Sequence, residues 1–243
     1  MQNWSDPRTT TASPAVSVGV PRAARDAGLR SYMLSVYNLM ASGVLLTGIV
    51  ALGLAATGVA AALFSHPILK WVAIFAPLVM IMVMGAKSQS MSTGGLRTFF
   101  FAFAAVMGIS MSVIPLIYSG SSIATTFFAT SVAFLSLSLW SYTTKKDLSG
   151  WGTFLIMGVV GLIVVSIANI FIQSAGLSLA VSAIGVLLFA GLTAYDTQKI
   201  KSLYAHVAGS DMQGKVVIMG ALTLYLDFIN MFQFLLSFMG NRE

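Results

Sequence analysis

The chain has 243 residues, of which 57% are hydrophobic and only 8% charged, with a formal net charge of +6 and a mean hydropathy of +0.89. A soluble domain carries about 25% charged residues, so this composition excludes an ordinary soluble fold and points to an all-α polytopic membrane protein. With no cysteine, disulfides, thiolate metal sites and a cysteine nucleophile are excluded as well.

Residues 1–31 (MQNWSDPRTTTASPAVSVGVPRAARDAGLRS) are rich in Thr, Ser, Ala and Pro and predict a disordered cytoplasmic tail without the apolar core of a cleavable signal. Residues 32–243 are then the transmembrane domain. Seven apolar runs follow, at 32–56, 68–86, 98–118, 122–142, 152–173, 177–198 and 216–239. Each is long enough for a bilayer, and backbone in hydrocarbon must satisfy its own hydrogen bonds, so each reads as a helix. Pro77 and Pro115 should distort the second and third runs. Residues 201–215 make a short charged connection between the last two, which makes those helices antiparallel neighbours.

Orientation follows from the basic residues. With the amino terminus inside, eleven of the thirteen fall on the cytoplasmic side: Arg8, Arg22, Arg25, Arg30, Lys87, Arg97, Lys145, Lys146, Lys199, Lys201 and Lys215. Only Lys70 and Arg242 lie outside, so seven spans put the carboxyl terminus outside. Trp71, Trp140 and Trp151 sit at span edges, as interfacial residues do. The positive charge is therefore read as topogenic, and no nucleic-acid partner is expected.

Two carboxylates break the apolar pattern: Asp196 in GLTAYDTQKI and Asp227 in ALTLYLDFINMF. An ionised Asp at a span centre costs about 2.5–3.5 kcal/mol on insertion scales, so such residues are by default partnered and functional. At 100° per residue Asp227 shares a face with Gly220, Thr223 and Asn230, and Asp196 shares one with Gly185, Phe189 and Thr193. If the two faces meet, unit charges about 4 Å apart repel by about 4 kcal/mol at an effective dielectric near 20. One proton would then stay on the pair near neutral pH. Two carboxylates with Thr and Asn oxygens are also hard ligands suited to Ca²⁺. Two blander readings stand beside this one: Asp196 paired locally with Lys199, and Asp227 as a structural acceptor. Asn169, with Ser166 and Gln173, reads as packing glue.

GLTAYDTQKIK followed by GALTLYLDFINMF resembles the closing signature of the Bax inhibitor-1 (transmembrane Bax inhibitor motif) family, and SYTTKKDLSG with the terminal FMGNRE resembles its bacterial inner-membrane branch. The resemblance runs from about Leu29 to the carboxyl terminus. It implies a seven-helix bundle with the last helix central, and a pH-dependent latch of two aspartates on a calcium leak pathway. Asp196 and Asp227 match those latch aspartates. Lys87 in VMGAKSQ stands where the resemblance implies a basic residue near the end of the second helix, and Thr193, Thr223 and Asn230 are candidate supports of the latch or pore.

The expected partners are the lipid bilayer, H⁺ and Ca²⁺, with no cofactor. A second function implied by the resemblance is modulation of a membrane-anchored AAA protease without ion conduction. An enzyme is not expected. His66 and His206 fall on opposite sides of the membrane, and no Gly-Asp pair of an intramembrane aspartyl protease is present.

Overall fold

A computed structural model describes residues 22–241, with the side chain of Arg22 outside that description. The chain is an all-α polytopic membrane protein. Among the described residues there are eight α-helices: α1 (Arg22–Ala56), α2 (Val59–Ser65), α3 (Leu69–Lys87), α4 (Thr93–Met111), α5 (Gly120–Thr143), α6 (Gly152–Ile172), α7 (Ala175–Val207) and α8 (Gln213–Met239). Two single 3-10 turns, Ile114–Leu116 and Ser149–Trp151, precede α5 and α6. Seven of the helices are long and apolar enough to cross a membrane, and α2 is a short addition between the first two.

The last helix is the hub. In its most apolar window 61% of α8 is buried, against 11–33% for the other six spans. It packs on α1, α4, α5 and α7, while α3 leans chiefly on α4 and α6 on α7. Aromatic rings fill the centre. Tyr225 meets Phe100 and Phe103 edge to face at 5.9 and 5.7 Å, and Phe228 meets Phe134 at 5.6 Å. Between spans the drive to associate comes from such close packing, because lipid is as apolar as the side chains themselves. The outward faces remain apolar, as with Phe171 and Leu187.

Three expectations require correction. Residues 22–31, placed in the tail, are helical and open α1; the rest of the proposed tail lies outside the described residues. The reason is a partner at the other end of the chain. α7 does not stop near 198 but runs to Val207, and its extension receives the start of α1: Tyr32 donates to the Ile200 carbonyl at 3.3 Å and its ring lies 5.3 Å from that of Tyr204. The α7–α8 connection accordingly shrinks to residues 208–212. The third correction concerns 98–118, which is not one helix. α4 ends at Met111, and Pro115 sits in the first turn of the following 3-10 segment, where its missing N–H is tolerated. Pro77, by contrast, is carried inside α3 and buried.

Trp71, Trp140 and Trp151 all lie at helix ends with exposed rings.

Candidate functional site

The run DTQK within AYDTQK spans about one helical turn, and each of its polar side chains serves a different neighbour. Successive residues step by about 100°, so four consecutive polar groups look out on all sides of α7. Asp196 faces α8. Thr197 faces α5, where its hydroxyl meets Ser138 Oγ at 2.8 Å; Ser138 in turn meets the Tyr37 hydroxyl of α1 at 2.5 Å. Gln198 holds the α5–α6 connection, accepting from the Leu148 N–H at 2.7 Å and donating to the Lys146 carbonyl at 2.8 Å. Lys199 turns toward the Tyr195 ring, 5.9 Å from its centroid. Two more bonds tie α5 to α7, from Ser141 Oγ to the Ala194 carbonyl and from Lys201 Nζ to the Tyr142 carbonyl at 2.6 Å.

Against this anchored helix, α8 presents Asp227. The carboxyl groups of Asp196 and Asp227 face each other within hydrogen-bonding reach. Both are buried, at 8% and 4% exposure. If both were ionised neither could donate, and Asp227 Oδ2 would be a fully buried oxygen without a partner. A proton shared between the two carboxyls would supply the donor that two carboxylates lack. Buried polar atoms are otherwise almost always paired.

Asp196 also forms part of the wall of a cavity of about 260 Å³ that opens between α3, α7 and α8, at the end of the bundle carrying the α7–α8 connection. Lys199, Lys215, Gln89 and Thr223 contribute polar groups to it, and Ile200, Met219 and Gly220 its apolar wall. Lys215 Nζ donates to the Gln89 carbonyl at 2.7 Å and so ties the start of α8 to the end of α3 across the mouth.

The supporting residues chosen from sequence fare differently. Thr193, Thr223 and Asn230 each spend their side-chain donor on their own helix, bonding the carbonyls of Phe189, Met219 and Leu226 at 2.8, 3.1 and 2.8 Å. They make no hydrogen bond to either aspartate, although Thr223 lines the cavity. Lys87 is exposed at the end of α3, and its neighbours Ser88 and Gln89 line the cavity in its place. Asp196 also feels the positive charge of Lys199, the local partner weighed for it from the sequence. Asn169 ties the α6–α7 turn, donating to Ser178 Oγ at 2.7 Å and accepting from the Ser174 N–H at 3.1 Å.

A resident Ca²⁺ does not fit these residues. The ion takes about six to eight oxygens. Two carboxyl groups are available, and no group of three or more His, Cys, Asp or Glu that could hold a metal ion exists among the described residues.

Gln198, Thr197, Ser138 and Lys215 were missed as site residues. The polar run DTQK was legible as a run. Which neighbour each residue would find was not.

The family model described as "Inhibitor of apoptosis-promoting Bax1" matches residues 29–243. The chain belongs to the Bax inhibitor-1 family. The membership covers all seven spans and both aspartates. Among bacterial relatives of this Bax inhibitor-1 chain, the uncharacterised protein RP147 of Rickettsia prowazekii is 45% identical over 221 residues, covering 90% of this chain and 92% of the relative. An uncharacterised protein of Caulobacter vibrioides is 44% identical over 229 residues, covering 90% and 92%. The inner membrane protein YbhL of Escherichia coli K12 is 42% identical over 230 residues, covering 93% and 97%.

Proposed function

We propose that this Bax inhibitor-1 protein is a pH-sensitive cation leak pathway with Ca²⁺ as cargo, closed by the Asp196–Asp227 pair. The observation that carries the reading is the position of the pair. Asp196 forms the wall of a cavity open at one end of the bundle, and Asp227 lies behind it with a buried oxygen that needs a proton. Beyond Asp227, toward the other end of α8, come Phe228, Ile229 and Phe232, all buried and apolar. A cation entering the cavity meets the carboxyl pair and then this apolar stretch, which supports reading the conformation described as closed.

While the pair shares its proton, α7 and α8 are joined by a hydrogen bond. Loss of that proton leaves two like charges in a low-dielectric site, and repulsion is relieved when α8 moves away or when a cation and water enter. The pair is a transit point, consistent with a donor set too small to retain Ca²⁺.

The charge pattern supports an orientation with the amino terminus inside, the carboxyl terminus outside and the open cavity on the cytoplasmic side. Similarity to YbhL supports a bacterial inner-membrane location.

The test is ⁴⁵Ca²⁺ flux in proteoliposomes across a pH series, comparing wild type with Asp227→Asn and Asp196→Asn. A pH-dependent flux that either substitution alters supports the pathway. Flux equal to that of protein-free vesicles at every pH rejects it.

A further inference from the structure

At the opposite end of the bundle the premature end of α4 leaves a gap in the wall. Because Pro115 diverts the chain into a 3-10 turn after Met111, nothing fills the space between the second half of α1 and the start of α5. The result is a cavity of about 440 Å³, larger than the one at the aspartates. Its floor is aromatic: Phe127 of α5 meets Phe228 and Phe232 of α8 edge to face at 5.5 and 6.2 Å. Its rim carries Leu45, Ile49 and Leu52 of α1, each more than half exposed on the outside of a candidate span.

We propose that this cavity is a seat for one acyl chain of a bilayer phospholipid, entering sideways between α1 and α5. Three observations select that occupant. The mouth opens through the flank of two spans, at a depth where the surrounding medium is hydrocarbon. Inside, the hydroxyl of Thr47 is already engaged with the Ala104 carbonyl at 2.8 Å and the Tyr225 hydroxyl at 2.7 Å. Among the described residues the buried side-chain oxygen left without a partner is on Asp227, which is not in this lining. Water in a cavity needs about two to four polar partners, and this lining is almost wholly apolar, with its buried Thr47 hydroxyl already engaged. A flexible apolar chain gains dispersion contact with the rings and loses nothing. Its end would rest on Phe228 and Ile229, next to Asp227 on α8, so the seat is placed to bias the helix that carries the second aspartate. The inference does not depend on ion conduction.

Gly48 supplies the test. It lines the cavity, and a Cβ built on it has no atom within 4 Å, so a larger side chain there fills the seat without striking the protein. The full chain is placed in phosphatidylcholine nanodiscs containing phosphatidylcholine with a diazirine near the end of one acyl chain, irradiated, and mapped by peptide mass spectrometry. Adducts are expected to concentrate in residues 44–52, 114–127 and 228–232, and Gly48→Phe should lower them about tenfold, equivalent to about 1.4 kcal/mol of binding. Gly161→Phe, on the exposed flank of α6 where a Cβ also meets nothing, should leave them unchanged. Ala124→Phe provides a second filling variant should Gly48→Phe fail to fold. Adducts spread evenly over the exposed faces and indifferent to both filling substitutions would overturn the proposal. So would chain-to-chain cross-links through the mouth, which would show a second copy seated there.

Discussion

Thr47 of α1 and Tyr225 of α8 join hydroxyls at 2.7 Å in the centre of the bundle, and Thr47 passes its remaining bond to the Ala104 carbonyl of α4 at 2.8 Å. Three helices are thereby pinned at one point, with Tyr225 enclosed by Phe100 and Phe103. Removing the Thr47 hydroxyl leaves that of Tyr225 buried and unsatisfied, which costs about 1–3 kcal/mol, whereas removing both together costs less. Thr47→Val and Tyr225→Phe should each lower thermal stability in detergent, and the double substitution should lower it by less than the sum. Additive losses would show that the hydroxyls do not interact.

On the proposed reading, a proton shared by Asp196 and Asp227 gives the pH response a sign. As pH rises the pair would lose that proton, and α7 and α8 should separate. In Asp227→Asn the amide N–H can donate to the Asp196 carboxylate at any pH, so the contact no longer depends on a proton. Spin labels on the cavity rims of α7 and α8 should report a distance that grows with pH in the wild type and stays flat in the variant. A wild-type distance independent of pH would reject a proton-dependent contact.

Gln198 holds the α5–α6 connection by two hydrogen bonds to backbone. Each is worth about 1 kcal/mol, and Gln198→Ala removes both. The local consequence should be faster hydrogen exchange at Leu148 and easier tryptic cleavage after Lys145 and Lys146, with the spans still protected. Unchanged cleavage would mean the connection is held by other contacts.

Gly108 marks where α4 crosses α1 most closely. A Cβ there would lie 2.7 Å from Val50 Cβ and 2.8 Å from the Thr47 carbonyl oxygen. The second contact is backbone and cannot rotate away. Overpacking of a tight contact costs about 1–3 kcal/mol, so Gly108→Leu should depress the melting temperature well beyond Gly161→Leu on the exposed flank of α6. Equal melting temperatures would remove the crossing as a constraint.

Much of this molecule could be read without coordinates. Hydropathy located the seven spans because lipid forces every backbone polar group into a helix, and Asp196 and Asp227 stood out because charge is costly in that setting. The AYDTQK and YLDFIN strings carried the family resemblance.

Other features depended on residues far apart in sequence. Residues 22–31 look like tail until the end of α7 supplies Tyr204 and the Ile200 carbonyl to pack and bond against. Thr193, Thr223 and Asn230 share a helical face with the aspartates, yet a face fixes only the direction of a Cβ; the nearest free acceptor for each donor was its own helix carbonyl. The partners of Thr197 and Gln198 come from α5 and the α5–α6 connection, which periodicity along α7 cannot specify. Pro115 could be expected to disturb a helix, but the lateral cavity exists only because α1, α5 and α8 stand around the place where α4 stops. The sequence alone determined which segments lie in lipid and where charge is anomalous, because those follow from local transfer energies. Packing decided which polar groups meet and where space is left, because both are set by distances between helices.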